Sequence, residues 1–470
     1  MALPEVVRDF LCGQHAPAAY DTLDADEEFD DEMQSRQENK IGLIMREHMG
    51  WIMQNKDFTD LQRSAAGLIS TCKTSALGVY VEYCPECEKV MGVHYCSCNN
   101  RNCPNCQYPM QKKWVELRKN EVLPNTPYFH IVLTLPHELN ELVKANPRLL
   151  LSLLFREAAH AVIEMCEDPK YLGAKPGIIS VLHTWTQELT LHYHVHMICS
   201  AGGLTPDGRY ITVDHLYSAK SPDKETESVS DFNAAVETKE DDDKSKNFFL
   251  PIKALTSLFC GKYMSELRTL YMNRKLILPA SLDYLNDPYE WATFCHRLET
   301  MSWIGYIAKT FEGKGDAIEY LARYTFRSAI SNSRIMDYDG KNVTISVRDN
   351  KHPGEKKSVT MDVHTFIWRF LSHILPKGFT RVRFYGILAN GCKFKNLSDI
   401  HDQLNLKPYT RSPLSKATGL YLLRLLFPDN KRGNCALCGH QLTLYRFDAD
   451  QLQHFRSARA APEKPQLQIA

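Results

Sequence analysis

The chain is 470 residues long, enough for about three domains of ~150 residues and too long for a peptide or a single small module. Apolar residues make up 44% and charged residues 24% of it, as in ordinary globular proteins. The longest apolar run, Leu149 to Phe155 around Ser152, is far short of the ~18 residues that a bilayer span needs. The opening MALPEVVRDFLCGQ has no basic stretch leading into an apolar one, so no secretory signal is read and the cytoplasm is the expected location.

Formal net charge is zero, 56 basic residues against 56 acidic, which argues against a polyanionic partner until the distribution is examined. Asp21 to Glu38 holds nine acidic residues and one basic, and Pro222 to Asp243 holds nine and two. The remainder carries 53 basic against 38 acidic residues, a balance that suits a nucleic-acid binder. Of the 15 cysteines, six fall between Cys84 and Cys106. That clustering favours metal thiolates over disulfides.

In chain order, residues 1–39 read as an acidic disordered tail. Ile41, Ile44, Met45, His48 and Ile52 then repeat at helical spacing, and FTDLQRSAAGLISTC predicts a second amphipathic helix. GVYVEYC reads as a strand entering the cysteine cluster, and QKKWVELRKNEVL as a basic helix closed by Pro124. YFHIVLTLP, β-branched and bounded by prolines, predicts the strongest strand. Helices follow over 137–145 and 147–167. IISVLHTWTQELTL reads as one strand or a hairpin, and HVHMICS as a further strand. Residues 219–247 are polar and aperiodic and predict a disordered acidic insertion, which a loop tolerates because closure entropy grows slowly with length. Further on come a helix over 252–274, the strand WIGYIAK, a helix from Asp316 to Ala329, and extended runs VTISVR, KSVTMDV and RVRFYGILA around the helix HTFIWRFLSHIL. Strands and helices mixed without regular alternation predict an α+β fold with a largely antiparallel sheet.

Three constellations carry chemistry. Cys84-x2-Cys87 and Cys103-x2-Cys106 frame a cluster that also holds His94, Cys96 and Cys98. Two such knuckles suit tetrahedral zinc, so Cys84, Cys87, Cys103 and Cys106 are the first choice of ligands, with Cys98 or His94 as substitutes or members of a second site. Cys435-x2-Cys438, near His440, is a lone half-site, as compatible with an ordinary reduced turn as with zinc. In His194-Val195-His196 both imidazoles face one side of a strand, which suits two ligands of a divalent ion, although a bare His-x-His is more often structural. Tyr320 and Tyr324 lie one helical turn apart, as do Arg323 and Arg327 beside them, and guanidinium suits phosphate contact.

YFHIVLTLPHEL, LHTWTQELTLHYHVH and YLARYTFRSAISNSR, behind a cluster ending in CSCNNRNCPNCQ, resemble the insertion sequence 91 family of transposases, which are HUH endonucleases with two tyrosines. The similarity runs from about Gly42 to Asn390 and takes in HTFIWRFLSHILPKGFTRVRFYG. The chain departs from the family pattern at Tyr193, where proline is usual, at Phe326, where histidine is usual, and in the length of its acidic insertion.

The resemblance implies an HUH core with a central antiparallel sheet flanked by helices over 126–390, preceded by a helical and zinc-binding DNA module over 40–125 and followed by a C-terminal region over 391–470. It implies a rolling-circle transposase that nicks and joins single-stranded DNA through 5′-phosphotyrosine links, acting on transposon ends and target. Mg²⁺ or Mn²⁺ would sit on His194 and His196, with Gln187 as third ligand because related replication initiators carry a polar ligand about seven residues before the first histidine. Glu188 and His192 are the alternatives. Tyr320 and Tyr324 map to the nucleophiles, with Arg323 and Arg327 as candidates to support them, and structural Zn²⁺ would stabilise the module followed by Lys112, Lys113, Arg118 and Lys119. Two other readings are an HUH replication initiator or relaxase, which the absence of a GxxxxGK[ST] segment disfavours for its larger members, and a non-catalytic zinc-dependent DNA-binding protein, which would lack metal-dependent nicking.

Overall fold

The computed structural model describes residues 39–123, 126–213, 250–311, 316–325, 328–349, 354–416 and 433–451, with isolated positions at 4, 6–8, 352 and 453. The predicted insertion over 219–247 lies outside them, as does nearly all of the acidic tail over 1–39. The chain divides into two compact units, residues 1–113, 331–333 and 416–470 forming one, and residues 114–330 and 334–415 the other. The stretch read as one C-terminal region is thereby split. Residues up to 415 belong to the second unit and those from 416 to the first.

In the first unit, helices α1 (Lys40–Glu47), α2 (Met49–Gln54) and α3 (Asp60–Ser70) carry the expected periodicity. They bury Ile41, Ile44, Met45, Ile52, Ala65, Ala66 and Ile69. Thr59 starts α3 with a capping box: the Gln62 amide donates to Thr59 Oγ1 at 3.3 Å and the Thr59 amide to Gln62 Oε1 at 2.8 Å. Asn39, the N-cap of α1, donates its side-chain amide to the carbonyls of Ile69 and Cys72 at 3.2 and 3.1 Å, which ties α1 to the end of α3. Strands β1 (Val79–Cys84) and β2 (Lys89–Tyr95) form an antiparallel hairpin. A third strand, β12 (Thr443–Phe447), pairs with the free edge of β1 in the register Val79↔Phe447 to Tyr83↔Thr443.

The second unit is built on a six-stranded sheet of β3 (Tyr128–Thr134), β4 (Lys175–Trp185), β5 (Leu191–Leu204), β6 (Tyr210–Thr212), β7 (Gly305–Phe311) and β11 (Val382–Gly386). The order is β11-β4-β5-β3-β7, with β6 on β5, and every pairing is antiparallel. All seven residues of β3 are buried, which is why it reads as a continuous apolar run rather than an alternating one. The sheet therefore has helices on both faces. One face buries Ile131, Leu133, Leu182, Val195 and Met197 under α5 (Asn140–Ala145), α6 (Pro147–Glu167), α7 (Ile252–Met272) and α8 (Pro288–Thr300). The opposite face carries Tyr128, Ile179, Val181 and Ile198, packed with Val115 of α4 (Tyr108–Lys119), residues of α9 (Asp316–Thr325), and Leu397 and Ile400 of α11 (Lys393–Gln403). A small antiparallel sheet of β8 (Ile335–Tyr338), β9 (Asn342–Arg348) and β10 (Lys356–Asp362) leads into α10 (Val363–Ser372), whose first turn is capped by Asp362. This is the α+β arrangement with antiparallel sheets that the sequence predicts. Among the described residues no helix is long and apolar enough to cross a membrane.

Candidate metal centre and nucleophile helix

The antiparallel register of three central strands gathers histidines on one sheet face. His194 and His196 of β5 point the same way because side chains alternate along a strand. His183 of β4 pairs directly with His194 across the ladder. Its ligand atom and those of His194 and His196 lie within 4.8 Å of one another, and all three residues are buried. The Nε2 atoms of His194 and His196 stand 3.1 Å apart. Two nitrogens each ~2.1 Å from one ion and at right angles to each other would stand about 3 Å apart.

The remaining ring nitrogens are held in the way metal-binding imidazoles require. His194 Nδ1 faces the His192 carbonyl at 3.1 Å, which accepts its proton and leaves Nε2 bare. His196 Nδ1 faces Nε2 of His130 at 3.0 Å, on the neighbouring strand β3. The His130 and His196 rings are parallel to within 3°. Such contacts fix ring orientation and tautomer. Burial pushes the His194 imidazole down to about 3, reinforced by His192, and the His130 imidazole down to about 3. At neutral pH both are uncharged, the form that ligates. Three imidazoles in convergent geometry fit a divalent ion.

Gln187, expected as the third ligand, is not among this group. It sits in the turn between β4 and β5, where its Oε1 accepts the backbone amide of Arg348 at 2.8 Å and its carbonyl accepts the Arg334 guanidinium. Glu188 shares that turn, and its carbonyl accepts from Arg369 at 2.8 Å. The offset of seven residues lands in a turn because the β4–β5 hairpin is tight, and the residue that faces His194 lies further back, on the partner strand. His183 was only partly legible: reading IISVLHTWTQELTLHYHVH as a hairpin that turns at 186–190 sets 183 opposite 193, and the register irregularity between His183 and Trp185 is what moves it opposite His194. His130 has no local signal and is brought in by the pairing of β3 with β5.

The two tyrosine positions, 320 and 324, lie one turn apart on α9. The helix is described as far as Thr325, and residues 326 and 327, ahead of the expected end at Ala329, lie outside the described residues. It buries Ile318, Leu321 and Ala322 in the same cluster as Ile179 and Val181 of β4 and Ile198 of β5. Val181 and Ile198 have the same strand parity as His183 and as His194 and His196, so α9 packs on the sheet face that carries the histidines. The side chains of Tyr320, Arg323 and Tyr324 lie outside the described residues, as do Phe326 and Arg327 altogether. Lys119 of α4 reaches Glu319 of α9 at 3.4 Å and Glu116 at 2.7 Å.

A cavity of about 220 Å³ opens in the second unit among Arg118, Glu121, Lys393, Phe394, Tyr409 and Arg411. The Glu121 carboxylate is matched by Lys393 at 2.8 Å and Arg118 at 3.4 Å. Arg411 lies over the Phe394 ring at 5.4 Å, and that ring is 46% exposed. Two aromatics among three cations make a surface suited to stacked bases and phosphates.

In the first unit the cysteines fall into two tetrads, Cys72, Cys98, Cys103 and Cys106, and Cys84, Cys87, Cys435 and Cys438. The set expected first, Cys84, Cys87, Cys103 and Cys106, is therefore not brought together. Each knuckle takes its partners elsewhere because β1 and β2 separate the two turns. In the first tetrad the sulfur separations are 3.4 Å (Cys72 to Cys106), 3.5 Å (Cys72 to Cys103) and 3.6 Å (Cys98 to Cys106). Four thiolates at ~2.3 Å from one zinc stand about 3.8 Å apart. Cys106 is held well below the usual thiol range by hydrogen bonds from Cys103, Cys72 and Cys98, while Cys103 is raised by Cys106 first and then by Cys72 and Cys98. Cys98, foreseen as a substitute, is a full member. Cys96 is buried outside both tetrads, and His94 lies 3.5 Å from Glu82. Cys72, just past the end of α3, stands apart from any knuckle and carries no local zinc signal. Its signal was arithmetic: two tetrahedra need eight ligands, and the knuckle cysteines with Cys98 supply seven.

Residues 44–135 match the family described as "Transposase zinc-binding domain" and residues 177–396 the family described as "Putative transposase". The chain is 33% identical over 353 residues to the "Putative transposase y4qJ" of Sinorhizobium fredii, covering 75% of this chain and 81% of that protein. It is 25% identical over 405 residues to the "Transposase for insertion sequence element IS801" of Pseudomonas savastanoi pv. phaseolicola, covering 83% of this chain and 85% of the relative. No solved structure matches the chain.

Proposed function

Since the chain belongs to the insertion sequence 91 family of transposases, we propose that it is an HUH endonuclease that nicks and rejoins single-stranded DNA through 5′-phosphotyrosine links at Tyr320 and Tyr324 during rolling-circle transposition. The observation that carries this reading is the sheet face that holds His183, His194 and His196 and also receives the helix bearing positions 320 and 324.

A phosphodiester resists attack because its oxygens repel nucleophiles and its alkoxide leaves poorly. Mg²⁺ or Mn²⁺ on His183, His194 and His196 would supply Lewis acidity at the scissile phosphate. His130 and the His192 carbonyl orient the two β5 rings, so the site is preorganised. A tyrosine of pKa ~10 is mostly protonated at neutral pH, and Arg323 and Arg327, on the same stretch of chain, would favour its ionised form and the phosphate. Attack by the phenol oxygen forms the tyrosyl phosphate ester and breaks the bond to the 3′ oxygen, which leaves as a free hydroxyl. Bond energy is conserved in the ester and no ATP is consumed. The second tyrosine then serves the other transposon end or the target.

In-line attack requires an unstacked strand, so single-stranded or hairpin DNA is the substrate, gripped by basic and aromatic surface such as that of Arg118, Lys393, Phe394, Tyr409 and Arg411. Zinc on Cys72, Cys98, Cys103 and Cys106 would stabilise the module ahead of the catalytic unit, because a metal that binds only the folded form adds its binding free energy to folding.

The test is incubation of the purified chain with single-stranded oligonucleotides from its element's ends and Mn²⁺ or Mg²⁺, comparing wild type with Tyr320→Phe, Tyr324→Phe and the double variant. A covalent protein–DNA band that the double variant lacks supports the reading. No band under any metal, with DNA binding intact, points instead to a non-catalytic DNA-binding protein.

A further inference from the structure

We propose that Cys84, Cys87, Cys435 and Cys438 form a second zinc site, separate from that of Cys72, Cys98, Cys103 and Cys106, which fastens the C-terminal strand β12 to the β1–β2 hairpin. The matched zinc-binding family ends at residue 135 and so contains only half of these ligands.

The four sulfurs lie within 4.8 Å of one another, with Cys84 to Cys438 at 3.6 Å and Cys87 to Cys435 at 3.8 Å. These are the edges of a tetrahedron of thiolates around zinc, and well beyond the ~2.05 Å of a disulfide. Both pairs are built alike. The Cys87 amide donates to Cys84 Sγ at 3.4 Å, and the Leu437 amide donates to Cys435 Sγ at 3.4 Å. Each knuckle is then turned by a residue of positive φ, Glu88 at 52° and Gly439 at 74°. Amide donors aimed at sulfur stabilise the thiolate form that zinc requires.

The surroundings agree. Leu442 is buried with Cys84 and Cys435, and Met91 Sδ lies 3.8 Å from Cys435 Sγ, giving the site an apolar wall. The Asn434↔Gln441 bridge closes the second knuckle, and the strand that follows it is β12, registered on β1 next to Cys84. A lone two-stranded hairpin is marginal in water, whereas three strands with an apolar face are more stable. The chain that returns from the second unit must close a very long loop to supply that third strand, at an entropic cost. Metal binding at the junction would offset it.

Zinc per chain, measured by atomic emission on the intact protein, is expected to be two. Cys435→Ser with Cys438→Ser should lower it to one while leaving Cys72, Cys98, Cys103 and Cys106 protected from alkylation. Cys98→Ser with Cys103→Ser should also lower it to one, with the protection reversed. A wild-type count of one, or a Cys435/Cys438 variant that keeps the wild-type count, overturns the proposal. Should either variant misfold, cobalt titration of the wild-type chain decides: thiolate-to-cobalt absorbance saturating at two equivalents supports two sites, and at one equivalent excludes them. The count is independent of DNA nicking, so failure of the transposition chemistry would leave it unchanged.

Discussion

His183 stands directly across the β4–β5 ladder from His194, so that a residue of one strand completes a site whose other members sit on the next. Replacing His183 with alanine should therefore abolish divalent-metal binding and nicking to the same extent as His194→Ala or His196→Ala. Gln187→Ala, which disturbs only a turn contact with Arg348, should stay near wild type. Isothermal titration with Mn²⁺ and the covalent-adduct assay check both halves, and a metal-blind Gln187→Ala would restore Gln187 to the site.

His130 reaches the candidate metal site through His196, at 3.0 Å. His130→Ala should weaken Mn²⁺ binding about 10- to 100-fold, the usual cost of losing a group that orients a ligand. Nicking should recover at raised Mn²⁺ concentration, which a lost first ligand would not permit.

Cys72→Ser should release zinc from the first tetrad and destabilise the helices that Asn39 ties together, whereas Cys96→Ser and His94→Ala should retain full zinc content. Zinc analysis of the three purified variants distinguishes these outcomes.

Phe394 presents an exposed ring beside Arg411 and Lys393. Phe394→Ala should weaken single-stranded DNA binding by about 1–3 kcal/mol, the usual worth of one stacked base, with the metal affinity unaltered. Fluorescence anisotropy with a labelled oligonucleotide measures it. Unchanged affinity would remove this cavity from the DNA path.

His373 is buried, its Nε2 facing the Leu189 carbonyl at 3.0 Å and its Nδ1 facing Thr184 Oγ1 at 3.1 Å, so it braces the β4–β5 turn. Burial pushes its imidazole down to about 4. The unfolded chain then binds the proton more readily than the folded one, so stability is complete above the ordinary histidine value of ~6.5 and falls as pH drops toward 4, by about 3 kcal/mol from this residue. Chemical denaturation between pH 7 and 4 should show that decline, made shallower by His373→Asn.

Local spacing carried much of this protein. The two imidazoles of His194 and His196 share a face because a strand repeats every two residues. Positions 320 and 324 share a helix because α9 repeats every 3.6 residues. The cysteine knuckles were visible as zinc half-sites because each is a single turn of chain, and the family motifs lie in continuous stretches. What complements each of these was decided only by tertiary structure. His183 and His130 reach the candidate metal centre through strand register, and Cys72, Cys435 and Cys438 reach their tetrads through the packing of α3 and the pairing of β12 with β1. Register and long-range pairing are set by which apolar faces bury together over the whole chain, and no short window of sequence contains that information.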